Sequence, residues 1–140
     1  MLELSDLEIS RLDIWHKSIG YLFMNPIFGL GAGSFTRLYE IDTSMWKGHA
    51  HNLILELLIS YGLPGGLLIF GNIFIMLNKA IKKIFFPFIS NPKSIFDIAW
   101  LTSLIVFLLS QMVDVQYFDA RISIVFWILL SGTRNIISKI

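Results

Sequence analysis

The sequence predicts an all-α, polytopic membrane protein, and three observations lead there. Hydrophobic residues make up 55% of the 140 and charged residues only 15%, with a mean hydropathy of +0.70; an ordinary soluble domain carries roughly 25% charged residues. Three apolar stretches approach the length a bilayer demands, about 20 residues. Charge is segregated: residues 1–62 hold seven acids and four bases, whereas residues 79–93 hold four lysines and no acid. The composition excludes a cytosolic enzyme. With 12 Phe, 4 Tyr and 4 Trp it also excludes a disordered chain, and with no cysteine it excludes disulfides, thiolate metal sites and a cysteine nucleophile.

The first region, 1–62, reads as two amphipathic helices and a glycine loop. Ser5, Asp6, Leu7 and Glu8 fit a capping box. Leu12, Trp15, Ile19, Leu22 and Phe23 follow at helical spacing and predict one apolar face. Pro26 ends that helix, because the residue before a proline avoids helical dihedrals. The loop GLGAGS at 29–34 has no preceding strand, no P-loop lysine and no ribose-binding acid at the right distance, so it reads as a tight turn. A linker through Trp46 then leads to a second helix over 50–61, closed by Gly62 and Pro64.

The second region, 63–140, reads as a membrane domain with about three transmembrane helices, 63–80, 95–113 and 118–136. The last is short of apolar residues and needs Arg121 and Arg134 to snorkel toward the headgroups. Lys79, Lys82, Lys83 and Lys93, with Arg134 and Lys139, place 79–93 and the C-terminus in the cytoplasm and residues 1–62 on the outer face. The start, MLELSDLEIS, has neither a basic n-region nor an apolar h-region and is no signal peptide.

Four groups of residues could carry chemistry. His49 and His51 stand at i, i+2, a spacing that points the rings apart and predicts no metal site, since a helical zinc pair stands at i, i+4. His51 falls in the first turn of the second predicted helix. There a neutral imidazole could accept a proton, or simply make cap hydrogen bonds. Arg11 shares a helix face with Trp15 four residues on; it either lies on the indole at headgroup level or clamps a phosphate with its planar fork. Arg37 faces the same choice. Asp114, at the outer end of the 95–113 stretch, is either a solvated helix end or a partner that orients His51 or an arginine.

The run RLDIWHKSIGYLFMNPIFGLGAGSF, followed by HAHNLILELLISYGLPGG, resembles the O-antigen ligase and O-antigen polymerase superfamily of bacterial membrane glycosyltransferases. The shared pattern is Arg11 with Trp15, then Asn25-Pro26 with Gly29 and Gly31, then His51-Asn52 and an apolar helix closed by Gly62 and Gly65. The resemblance covers the first half of the chain and implies a C-type glycosyltransferase fold in the bacterial inner membrane. Such enzymes transfer a glycan from an undecaprenyl-diphosphate carrier to a hydroxyl, on lipid A–core in the ligases and on another glycan in the polymerases. The resemblance further implies no metal, no nucleotide sugar, no other cofactor and no nucleic-acid partner. By carry-over, Arg11 meets the carrier diphosphate and His51 activates the acceptor hydroxyl, while Trp15, Gly29, Gly31, Asn52 and Gly62 shape the site. Family members have many more spans, so the expectation is a C-terminal portion acting with a separate N-terminal half. The competing expectation is a non-catalytic remnant or a small membrane interaction protein.

Overall fold

The computed structural model describes residues 11–85 and 95–138; the capping box at Ser5–Glu8 and the lysine at 93 fall outside them. Five helices occupy the described residues, with no strand among them: α1 (Arg11–Met24), α2 (Ser34–Thr43), α3 (Leu53–Phe85), α4 (Ile95–Ser110) and α5 (Ala120–Ser138). The chain forms two compact units, Met1–Gly65 and Gly66–Ile140.

The first unit holds one helix more than expected. The stretch read as linker contains α2, because Phe35, Leu38 and Tyr39 recur at i, i+3 and i+4. Phe35 and Tyr39 are wholly buried and stack at 5.4 Å. They also correct the face of α1: the residues turned inward are Ile14, Ser18, Tyr21 and Leu22, whereas Leu12, Ile19 and Phe23 are exposed. Ser18 tolerates burial because its hydroxyl donates to the Ile14 carbonyl at 2.7 Å. Tyr21 lies edge-on to Phe35 at 6.1 Å and donates its hydroxyl to Asp42 at 3.1 Å, an acceptor shared with the Lys17 ammonium.

Helix α3 is broken inside. Gly62 adopts φ 73°, ψ 177°, so one helix ends there and another begins. Pro64 has no N–H to offer the Ser60 carbonyl four residues back. The carbonyls freed at the break find partners in the glycine loop: Leu30 N–H donates to Ile59 O at 2.7 Å and Gly31 N–H to Ser60 O at 3.1 Å. In return Leu63 N–H donates to Pro26 O at 2.7 Å. Two backbones meet here with no room for a side chain. A Cβ on Gly62 would lie 2.2 Å from Ile27 O, and one on Gly29 would lie 2.5 Å from Ser60 O.

In the second unit α4 packs on α5, and Ala80 and Ile84 of α3 join Leu101 and Ile136 in its core. Gly132 lets the Trp100 indole lie against α5, where its N–H donates to Leu129 O at 3.0 Å. Among the described residues two helices, α3 and α5, are long and apolar enough to cross a membrane. The 95–113 stretch, the longest apolar run in the sequence, is helical for only 16 residues, or about 24 Å at 1.5 Å per residue. The buried Gln111 ends it: its side-chain oxygen accepts from Gln116 N–H at 2.9 Å and Tyr117 N–H at 3.0 Å, turning the chain out of the helix. Asp119 then starts α5, accepting from the Arg121 N–H at 2.9 Å and pairing with its guanidinium at 3.2 Å, which holds the carboxyl below its ordinary range.

Candidate active site: a histidine turn at the head of α3

The residues preceding α3 form a turn fixed from three sides. Asn52 caps the helix, its side-chain oxygen accepting from Ile54 N–H at 3.0 Å and Leu55 N–H at 3.2 Å. His51 therefore stands just before the cap, not inside the first turn as expected; asparagine competes better than histidine for the orphan N–H groups. His51 takes φ 50°, a left-handed conformation uncommon outside glycine. Backbone outliers of this kind are held by their surroundings and cluster at functional sites.

That conformation also overturns the expectation that the two rings diverge. The left-handed residue folds the turn back on itself, so the rings of His49 and His51 meet edge to face with centroids 4.4 Å apart. His51 N–H donates to His49 Nδ1 at 3.3 Å. The i, i+2 argument assumed extended or helical backbone, and this turn is neither.

Glu56 supplies the third restraint, and the sequence reading passed over it. It lies one turn into α3, is only 1% exposed, and accepts the Ala50 N–H at 2.9 Å. Ala50, itself fully buried, sits between the two histidines, so this one bond anchors both. A signal was present: an acid four residues beyond an Asn cap can reach back over the helix start much as a capping box does. Further support comes from α2, where the Thr36 hydroxyl donates to Gly48 O at 2.8 Å, just ahead of His49.

The other sequence candidates lie on other elements. Arg11 begins α1 and Arg37 lies on α2; both side chains are exposed, and no hydrogen bond or ion pair joins either to the histidine turn among the described residues. Gly29 and Gly62 make the backbone contact described above. Gly31 has φ 97° and open space around it, while a Cβ on Gly65 would lie 2.9 Å from the Tyr61 Cβ. Asp114 lies in the second unit, in the turn after α4, with its N–H on Ser110 O at 3.1 Å. Around the turn, burial and the bond to Asp42 push the Tyr21 phenol up to about 12, and burial raises that of Tyr39.

The arrangement offers a pair of imidazoles on a rigid support at the positive end of a helix, a setting able to receive a proton beside a developing anion. A family model described as O-antigen ligase matches residues 3–70. The match bears out the resemblance read from the sequence, over the segment that carries Arg11, the glycine loop, the histidine turn and the break at Gly62. No curated protein and no solved structure matches the chain.

Proposed function

We propose that this chain is the C-terminal portion of a membrane glycosyltransferase of the O-antigen ligase or polymerase type. Its donor is a glycan on undecaprenyl diphosphate, its acceptor a hydroxyl of lipid A–core or of another glycan, and residues 1–62 lie on the periplasmic face of the bacterial inner membrane. The observation that carries the reading is the O-antigen ligase match over the segment that builds the histidine turn. His51 accepts the proton of the acceptor hydroxyl as that oxygen bonds to the anomeric carbon. The bond from that carbon to the carrier diphosphate breaks, and the diphosphate leaves with the electron pair. Arg11 meets the leaving charge, for which a bidentate guanidinium is suited and a lysine is not. His49, Asn52 and Glu56 hold the His51 backbone in place and do not touch substrate.

The test is glycan transfer by a complete, active enzyme carrying this segment, given lipid-linked glycan with and without lipid A–core. General-base catalysis contributes about 10²–10⁴-fold, so His51→Ala loses at least about a hundredfold with expression and membrane insertion unchanged. His49→Ala loses less, because it removes a neighbour of the base and not the base. Transfer that survives His51→Ala near the wild-type rate would sink the catalytic assignment.

A further inference from the structure

The second unit contains a groove that the glycan-transfer reading does not use. It runs between α3 and α5, with a volume of about 460 Å³, and its walls are Ile69, Ile73 and Met76 on one helix and Phe126, Trp127 and Leu130 on the other, ending at Arg134. The α3 residues recur at helical spacing, so the same face continues one turn on to Lys79 and then to Lys83. The Lys83 ammonium donates to Ile137 O at 3.0 Å, which closes the two helices together at that end. One turn back from this contact on each helix stand Lys79 and Arg134, both exposed. Arg134 forms no ion pair among the described residues. No acid occurs between residues 66 and 94 or between 122 and 140, and the nearest beyond them is Asp97 in the first turn of α4.

An apolar trough with Arg134 in its wall, and Lys79 one helical turn further along the α3 face that lines it, suits a hydrocarbon chain carrying an anionic head. We propose that this groove binds an acidic phospholipid, with an acyl chain along Ile69–Met76 and Phe126–Leu130 and the phosphate between Lys79 and Arg134. A second copy of the chain would bring base against base at the same place. By the lysine placement this end of the groove is cytoplasmic, where acidic lipids and juxtamembrane basic residues meet at roughly fivefold in affinity per residue. The inference rests on the membrane placement of the proposed function and not on glycan transfer.

The chain is reconstituted into phosphatidylcholine vesicles holding a minor fraction of chain-brominated phosphatidylglycerol or chain-brominated phosphatidylcholine. Trp127 fluorescence is taken as the difference between wild type and Trp127→Phe. The brominated acidic lipid should quench Trp127 with an apparent affinity at least about fivefold above that of the zwitterionic one. Lys79→Ala and Arg134→Ala, each alone, should cut that preference by about fivefold, while Lys82→Ala, which removes the same single charge from an exposed site off the groove line, should keep it. Equal quenching by both lipids, or equal loss in all the lysine and arginine variants, overturns the groove and leaves only general surface attraction. Cross-linking between copies through a cysteine at Ser131 would replace the lipid by a second chain. Failure of the wild-type chain to float with the vesicles would overturn the membrane placement and this inference together, whereas flotation without lipid preference overturns this inference alone.

Discussion

The two units satisfy their polar groups in opposite ways. In the first, backbone bonds cross between distant segments: Leu30 to Ile59, Gly31 to Ser60, Leu63 to Pro26, and Ala50 to the Glu56 side chain. In the second, the polar side chains mostly fold back on their own helices, as Asn72 does to Leu68, Ser103 to Ala99 and Thr133 to Leu129. A helix surrounded by hydrocarbon must close its hydrogen bonds internally. A site that has to hold a base in place gains from bonds that reach across the chain, because those over-determine a turn that local propensity would not choose. The histidine turn belongs to the first kind of construction and the long apolar helices of the second unit to the second.

The sharpest way to break this contrast is at Gly62. Its positive φ and the 2.2 Å approach to Ile27 O leave no place for a methyl group. The left-handed penalty alone is about 1–2 kcal/mol, and displacing backbone adds to it, so Gly62→Ala should cost about 3 kcal/mol or more. Amide hydrogen exchange should rise across the glycine loop and the first half of α3, with α4 and α5 little changed. Uniform loosening of both units would show that the construction is not local.

Glu56 comes next. Glu56→Leu leaves the buried Ala50 N–H without an acceptor, a loss of about 1–3 kcal/mol. Glu56→Gln keeps an acceptor oxygen and should restore most of it. In the complete, active enzyme Glu56→Leu should lower transfer and Glu56→Gln recover it. If Leu and Gln behave alike, the hydrogen bond is not what holds the turn.

The second unit has its own close approach, of a softer kind. A Cβ at Gly132 would lie 2.2 Å from the Trp100 indole, but a side chain can move where a backbone cannot. Gly132→Ala should therefore cost about 1–2 kcal/mol, the range for modest overpacking, and should red-shift or quench Trp100 as its bond to Leu129 O is lost. A cost equal to that of Gly62→Ala would erase the distinction between backbone and side-chain contact.

How much of this the sequence disclosed follows the same division. The glycines at 29 and 62, the break near Pro64 and the apolar character of 63–140 were legible, since each follows from a single residue type or from composition. The inward face of α1 was not. Hydropathy favoured Leu12, Ile19 and Phe23, whereas the core took Ser18 and Tyr21, polar groups whose partners, Ile14 O and Asp42, only the fold supplies. Helix α2 was hidden because glycine and serine at its start read as loop. The meeting of His49 and His51 depends on one left-handed residue, and no spacing rule foresees that. Gln111 was likewise invisible as a helix terminator, because its work is done by bonds to residues five and six places on.

The smallest expected effect concerns pH and the packing of α1 on α2. Tyr21 is buried in the first unit, and burial first, then the hydrogen bond to Asp42, raise its folded pKa from 10.0 to about 12. The folded state thus holds the phenolic proton more tightly than the unfolded chain does. That contribution is complete below pH 10 and disappears as pH rises toward 12, because ionisation would put a charge on the buried tyrosine and set it against the exposed Asp42 carboxylate. Stability of the first unit should therefore fall by an amount on the order of 1 kcal/mol across this window. Asp42 works in the other direction: Lys17 and then Tyr21 hold its carboxyl below the usual carboxylate value, so its share is lost as pH falls through the acid range. Tyr21→Phe should flatten the alkaline decline and trim the acid one to the share that Lys17 holds, as followed by the stability of α1 and α2 across both pH ranges. Because the second unit has Tyr117 as its one tyrosine and no bond between it and a carboxylate among the described residues, its α4 and α5 amides should lack the Tyr21-dependent step. An alkaline step that persists in Tyr21→Phe would assign it to a different group and remove the tyrosine from the account of how α1 is held.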